Sequence, residues 1–227
     1  RRFPMMLARA GARLRAGKAV APRHRRAAGT SDLDVARHWQ PYGNFFAVEE
    51  FNLRFRRFDG GMSPTVNRAV FISADAAVVL PYDPARDRVL LIEQFRMGPV
   101  ARGDGQPWLL EAIAGRIDGG ESPEDAAHRE AMEEAGLVLS ALLPATHYYP
   151  SPSAKSEFLY NFIGIADLPD GSAGLGGVPG EDEDIRGHRM PFPELLDLVE
   201  SGEVTAGPLA FLTAWLAVRR DAIRRGG

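Results

Sequence analysis

Residues 115–137 read GRIDGGESPEDAAHREAMEEAGL. Glycines at 115, 119 and 120 mark a loop, Ser122 offers a helix N-cap with Pro123 in the first turn, and Gly136 stops the helix. Glu130, Glu133 and Glu134 are spaced by three and four residues, so a helix places them on one face. Like charges arranged in this way destabilise an isolated helix by roughly 0.2–0.5 kcal/mol per pair. Either the stripe faces water or a positive partner sits against it. Three clustered oxygen donors suit a hard divalent cation such as Mg2+, which usually pairs a few carboxylates with substrate phosphates. The usual zinc sites are excluded: the chain has no cysteine, and His128 has no partner at ligand spacing. A glycine at 115 lets the backbone approach a ligand closely.

On either side of this segment the pattern alternates between strands and helices. FNLRFRRF (51–58) alternates as a half-buried strand does, and DGG supplies a turn. AVFISADAAVVLPYD (69–83) and RVLLIEQFR (88–96) are apolar strand-like runs separated by the turn signal DPARD. QPWLLEAIAG (106–115) reads as one more short strand entering the glycine loop. After the helix come a strand in EFLYNFIGIADL (157–168) and a glycine-rich loop running into acids, DGSAGLGGVPGEDEDI (170–185). Two helical stretches follow, PFPELLDLVESG (191–202) and GPLAFLTAWLAVRRDAIRR (207–225). Such interleaving without a strict βαβ rhythm predicts a mixed sheet flanked by helices.

Composition bounds the rest. With 227 residues, 45% hydrophobic and 25% charged, the chain can bury a core without staples. Zero cysteines exclude disulfides and thiolate chemistry and fit a reducing cytoplasm. A net charge of −3 gives no basic field for a nucleic-acid partner, and no apolar run approaches the ~18–20 residues that span a bilayer. The charge is uneven, however: nine Arg or Lys and no acid precede Asp32. That basic stretch is expected to be a poorly ordered tail, or the stub of a longer chain since residue 1 is not Met. An organellar transit peptide or a membrane-surface helix is the other reading.

The full frame of 115–137 resembles the Nudix box: a glycine, five residues, Glu121, seven residues, Arg129-Glu130, two residues, Glu133-Glu134, one residue, Gly136, an apolar residue. Every fixed position is met, with Ala131 smaller than the aliphatic usual there. The resemblance implies an α/β/α sandwich with a mixed sheet and metal-dependent hydrolysis of a nucleoside diphosphate linked to another moiety. Carried over by position, Glu130, Glu133 and Glu134 would serve the metal, with the backbone carbonyl of Ala114. Arg129 would orient a glutamate of the stripe, and Glu121 would be either a metal-side acid or a loop brace. Mg2+ is the expected ion, with Mn2+ as a substitute.

Outside the box, Pro152 lies sixteen residues after Gly136, and FRRFDGGMS, AAVVLPYDPARDRVLLIEQFR, PWLLEAIAGRIDGGES and EDEDIRGH resemble bacterial ADP-ribose pyrophosphatases in order and spacing. The likeness covers roughly residues 43–222. It implies a tail or extension over 1–43, N-terminal strands over 44–72 that serve dimerisation, and the hydrolase domain over 73–227. Arg68 and Arg96 would meet the phosphates or the terminal ribose, as arginine does well. Phe45 would stack on the adenine, and Glu157 would line the substrate pocket. Glu181 would be the general base and Glu183 a further metal ligand. Stripe glutamates make poor bases once a cation holds their lone pairs. The implied activity is hydrolysis of ADP-ribose to AMP and ribose 5-phosphate in a cytoplasmic homodimer. Two departures, Ala69 in place of Glu and Ser153-Ala154 in place of two glycines, leave GDP-mannose or another nucleotide sugar as the alternative substrate. A non-catalytic ADP-ribose sensor is the reading from a different class.

Overall fold

The apolar run at 76–83 is buried on both faces, as befits a strand enclosed between two helical layers. In the computed structural model, residues 2–17, 22–177 and 183–226 are described, and they fall into two units.

The first unit runs to Asp75 and includes the segments 118–120 and 149–158. It holds α1 (Arg2–Ala16) and an antiparallel sheet of β1 (Leu33–Gly43), β2 (Ala47–Phe55) and β3 (Val66–Ile72), in that order. The strand pattern therefore starts at Leu33, inside the stretch expected to be tail. The basic segment is also not a loose tail where it is described. Ala8 is fully buried, Arg15 Nε donates to Asp75 Oδ2 at 2.9 Å, and Arg9 pairs with Glu49. Both carboxylates are buried, and each takes its counter-charge from α1. Leu7 packs so closely on Gly119 that a β-carbon there would lie 2.6 Å from Leu7 Cβ.

The second unit is a layered α/β domain. Its elements are β4 (Ala76–Asp83), β5 (Arg88–Phe95), α2 (Met97–Arg102), β6 (Trp108–Glu111), β7 (Ile113–Arg116), α3 (Pro123–Ala135), β8 (Ala141–Pro144), β9 (Leu159–Ile165), β10 (Leu175–Gly176), β11 (Ile185–Pro191), α4 (Phe192–Ser201) and α5 (Gly207–Arg224). The sheet runs β10-β11-β5-β4-β9-β8, with β6 added to β5 and β7 to β4. It is mixed, because β4 and β9 are parallel and the other pairs antiparallel.

Alternation along β4 builds both layers. Ala77 and Val79 join Leu90, Ile92, Ile113 and Phe162 under the small α3 residues Ala126, Ala127 and Ala131. On the opposite face Val78, Leu80 and Tyr82 join Val89 and Leu91. That face is covered by Phe192 and Leu195 of α4 and by Leu209, Leu212 and Leu216 of α5. This is the α/β/α sandwich with an N-terminal β extension that the sequence implied. Ala131 has a physical reason as well: it is fully buried, so its small side chain sets a close approach of α3 to the sheet.

Two predicted strands divide. The run 69–83 breaks at 73–75 into β3 and β4, which belong to different sheets. The run 106–115 breaks at Ala112 into β6 and β7, which pair with different strands. The DPARD turn is built as read: Asp83 Oδ1 accepts from the backbone N–H of Ala85 and of Arg86, and Asp87 takes the left-handed conformation at φ 57°.

Candidate active site

The strand–loop–helix segment assembles as its residue types demand. Ser122 Oγ accepts from the Asp125 N–H at 3.0 Å, and Pro123 starts the helix. Gly136 ends it at φ 63°, a conformation that costs glycine little. Glu130 and Glu134 are buried at 9% and 5% exposure, whereas Glu133 lies further out.

Gly115 on β7 faces Glu130. A β-carbon at 115 would lie 1.8 Å from Glu130 Oε1 and 1.9 Å from its Cδ, so the carboxylate occupies the space that glycine leaves. Arg129 reaches back along α3 and organises the acids. Its guanidinium donates to Glu121 Oε1 and Oε2 at 2.9 and 3.1 Å, to Glu130 Oε1 at 2.6 Å, to Glu133 Oε2 at 2.9 Å and to the Arg116 carbonyl at 2.9 Å. Hydrogen bonding to Glu121, foremost, keeps this arginine firmly protonated. Glu121 is thus seen bracing Arg129, and Arg129 orients two glutamates of the stripe.

Among the described residues, no arginine hydrogen-bonds Glu134. Its Oε2 accepts the Ala114 N–H at 3.2 Å, while burial, with the neighbouring charges of Glu130 and Glu183, pushes its carboxyl up to about 8. Glu130 is likewise shifted upward, mainly by burial, with Arg129 opposing. Burial and the mutual repulsion of neighbouring acids therefore disfavour the charged forms of Glu130 and Glu134 unless a cation joins them.

Among the described residues no three acids or histidines stand in ready-made metal geometry. Arg129 holds one oxygen each of Glu130 and Glu133. The residues nonetheless fit a hard divalent cation. The donors are all oxygens, the carboxylate cradle at Gly115 is preformed, and Glu134 is a buried carboxylate short of positive charge.

Arg96 follows the end of β5 and contributes positive charge to the surroundings of Glu134. Its Nε donates to Glu111 Oε2 at 2.7 Å. Glu111 is a residue that sequence reasoning missed. Its carboxyl is raised, chiefly by burial and against the pull of Arg96. A single acid in an apolar strand, WLLE, was the available signal, since an isolated buried carboxylate needs a partner.

The structure thus brings Arg96, Ala114, Gly115, Glu121, Arg129, Glu130, Glu133, Glu134, Gly136 and Glu183 together in the second unit. Phe45, Arg68, Pro152 and Glu157 belong to the first. There Phe45 is 62% exposed, edge-on to Phe46; Arg68 Nη1 donates to the Asn67 carbonyl at 2.8 Å; and Glu157 accepts from Lys155 Nζ at 3.1 Å. Glu181 lies outside the described residues.

A β/α unit that seats a glutamate stripe in a glycine cradle defines the class, and the comparisons agree. The NUDIX domain model matches residues 73–209. The chain is 37% identical over 196 residues to an ADP-ribose pyrophosphatase of Escherichia coli (strain K12), covering 86% of this chain and 93% of that protein. It is 30% identical over 173 residues to a GDP-mannose pyrophosphatase of Escherichia coli (strain K12 / DH10B), covering 76% and 88%. A crystal structure titled as an ADP compounds hydrolase shares the fold at a TM-score of 0.63 and 21% identity, covering 85% of this chain and 98% of the other. This chain belongs to the Nudix family. Nudix hydrolases generally use divalent metal ions. No helix among the described residues is long and apolar enough to cross a membrane.

Proposed function

We propose that this chain hydrolyses the diphosphate of ADP-ribose to AMP and ribose 5-phosphate, using Mg2+, with Mn2+ able to substitute. The observation that carries the reading is the buried carboxylate set in the Gly115 cradle, within a chain 37% identical to an ADP-ribose pyrophosphatase. Glu130, Glu134 and Glu183 would hold the metal, with Glu133 beside them and the Ala114 carbonyl as a backbone donor. When bound, the cation supplies Lewis acidity toward the diphosphate oxygens.

The chain's own residues do the rest. Arg129 keeps Glu130 and Glu133 aimed at the site. Arg96, fixed by Glu111, places a cation where negative charge develops as the P–O–P bridge breaks. Glu181 would take the proton from the attacking water, whose oxygen forms the new bond to phosphorus. Arg68, Phe45 and Glu157 would bind the nucleotide and sugar ends. Homodimer formation is supported by β1, an edge strand exposed at Leu33, Val35 and Tyr42. The cysteine-free chain fits a cytoplasmic setting.

Hydrolysis of GDP-mannose is the second reading, favoured by Ala69 and Ser153-Ala154 and by the 30% identical relative. A ranked panel of ADP-ribose, GDP-mannose and other nucleotide sugars, compared by kcat/KM, decides between them. Preference for GDP-mannose rules out the first reading.

A further inference from the structure

The glycine-rich stretch 174–177, GLGG, precedes the acids as a loop of low complexity, and as sequence it suggests no role beyond flexibility. In the structure it has a seat. Gly176 lies directly on the C-terminal end of α3: a β-carbon at 176 would stand 1.9 Å from the Glu134 carbonyl oxygen and 2.8 Å from its carbon. Both obstacles are backbone, so no rotamer change can relieve the clash. The next residue, Gly177, donates its N–H to the Glu133 carbonyl at 3.3 Å, satisfying an acceptor that the end of the helix leaves open.

Gly177 also meets the far end of the loop. It adopts φ 107°, which side-chain-bearing residues rarely adopt, and a β-carbon there would stand 3.0 Å from both Cβ and the carbonyl oxygen of Glu183. The short pairing of β10 with β11, Gly176 opposite Ile185, fixes the register two residues beyond Glu183. The Gly187 N–H adds a 2.7 Å bond to the Gly174 carbonyl. Backbone atoms of Glu133 and Glu134 therefore hold one side of this loop, and Glu183 packs against the other.

We propose that Gly176 and Gly177 are positioning residues: by seating the loop on the last carbonyls of α3, they fix where Glu183 stands relative to Glu130 and Glu134. The inference rests on the reading above that Glu183 serves the metal. It makes the helix that carries the stripe also the ruler for the separate acidic segment. Gly174 supplies an internal control, since a β-carbon there meets nothing within 4 Å.

The test is Mn2+ binding to the full chain without substrate, followed by electron paramagnetic resonance, alongside Mg2+ dependence of ADP-ribose turnover. Glu183→Gln is expected to weaken Mn2+ binding. Gly176→Ala, and independently Gly177→Ala, should each weaken it by about tenfold, the lower end of what loss of supporting groups costs a metal site. Gly174→Ala should bind as the parent does. Because the glycines act through Glu183, adding Gly176→Ala to Glu183→Gln should produce little further loss. Thermal melting confirms that each variant folds, and Gly177→Ala serves if Gly176→Ala does not. Parent-like Mn2+ affinity in the folded glycine variant, or losses that add in the double variant, overturns the inference while leaving Glu183's role intact. Parent-like affinity in Glu183→Gln overturns the assignment of Glu183 and the inference with it.

Discussion

Arg129 is the keystone of the acidic site, and removing it makes a quantitative test. Its guanidinium makes five hydrogen bonds of 2.6–3.1 Å, four of them to the carboxylates of Glu121, Glu130 and Glu133. In Arg129→Ala, Glu130 remains buried without its arginine hydrogen bond, and Glu121 loses two hydrogen bonds. Breaking a fully buried pair costs about 3–5 kcal/mol. The Arg129 side chain is 31% exposed and Glu133 36%, so solvent screening reduces the expectation to about 2–3 kcal/mol. For a domain of this size each kcal/mol lowers Tm by about 2–4 °C, giving a fall of about 4–12 °C. The assay is thermal unfolding by circular dichroism in the absence of divalent metal, for Arg129→Ala, Glu121→Gln and the pair. The pair should lose less than the sum, because Glu121 and Arg129 share two hydrogen bonds. A Tm for Arg129→Ala within about 1 °C of the parent would refute the reasoning.

Further outcomes follow from the same geometry. Gly115→Ala places a methyl group where the Glu130 carboxylate sits, and should destabilise the fold by about 1–3 kcal/mol in urea titrations while abolishing most turnover. Glu111→Gln keeps the shape but removes the charge that fixes Arg96, so kcat/KM should fall about tenfold with Tm nearly unchanged. Asp87 accepts from the Tyr82 hydroxyl at 2.9 Å and from Arg220 Nε at 2.6 Å at the tip of the β4–β5 turn. Burial pushes its carboxyl up, but the Arg220 and Tyr82 hydrogen bonds outweigh it and leave the group below the usual range. Its stabilisation is therefore complete above the ordinary carboxylate pKa and lost as pH falls through the depressed value. Asp87→Asn should lower Tm at neutral pH, with the gap to the parent closing in acid.

What could be read from the sequence was what local chemistry determines. The Ser122 cap, the Pro123 start, the Gly136 stop and the shared face of the three glutamates depend on neighbours within a few residues, and all appear as read. The two-faced burial of β4 was legible in VVLPY because no charged residue interrupts it. Partnerships set by distant chain segments were not legible. The break at Ala112 exists because β6 and β7 pair with different strands, and nothing in LLEAIAG announces it. The acid in WLLE stood out, but its pairing with Arg96, fifteen residues away, became visible only in the structure. Similarly, Arg9 and Arg15 looked like solvated charges of a tail until Glu49 and Asp75, buried and far along the chain, proved to be their partners. GLGG read as flexibility, whereas its glycines at 176 and 177 are required by the backbone of α3 and by Glu183.

The central claim is that the cradled carboxylates hold a divalent metal for hydrolysis of ADP-ribose. Its most direct test is quantitation of AMP and ribose 5-phosphate released from ADP-ribose, with and without Mg2+, by the parent and by Glu134→Gln. Equimolar products are expected from the parent only when Mg2+ is present, with a loss of turnover and a weakened Mg2+ dependence in Glu134→Gln. Metal-independent release, or a fully active Glu134→Gln, would contradict the claim.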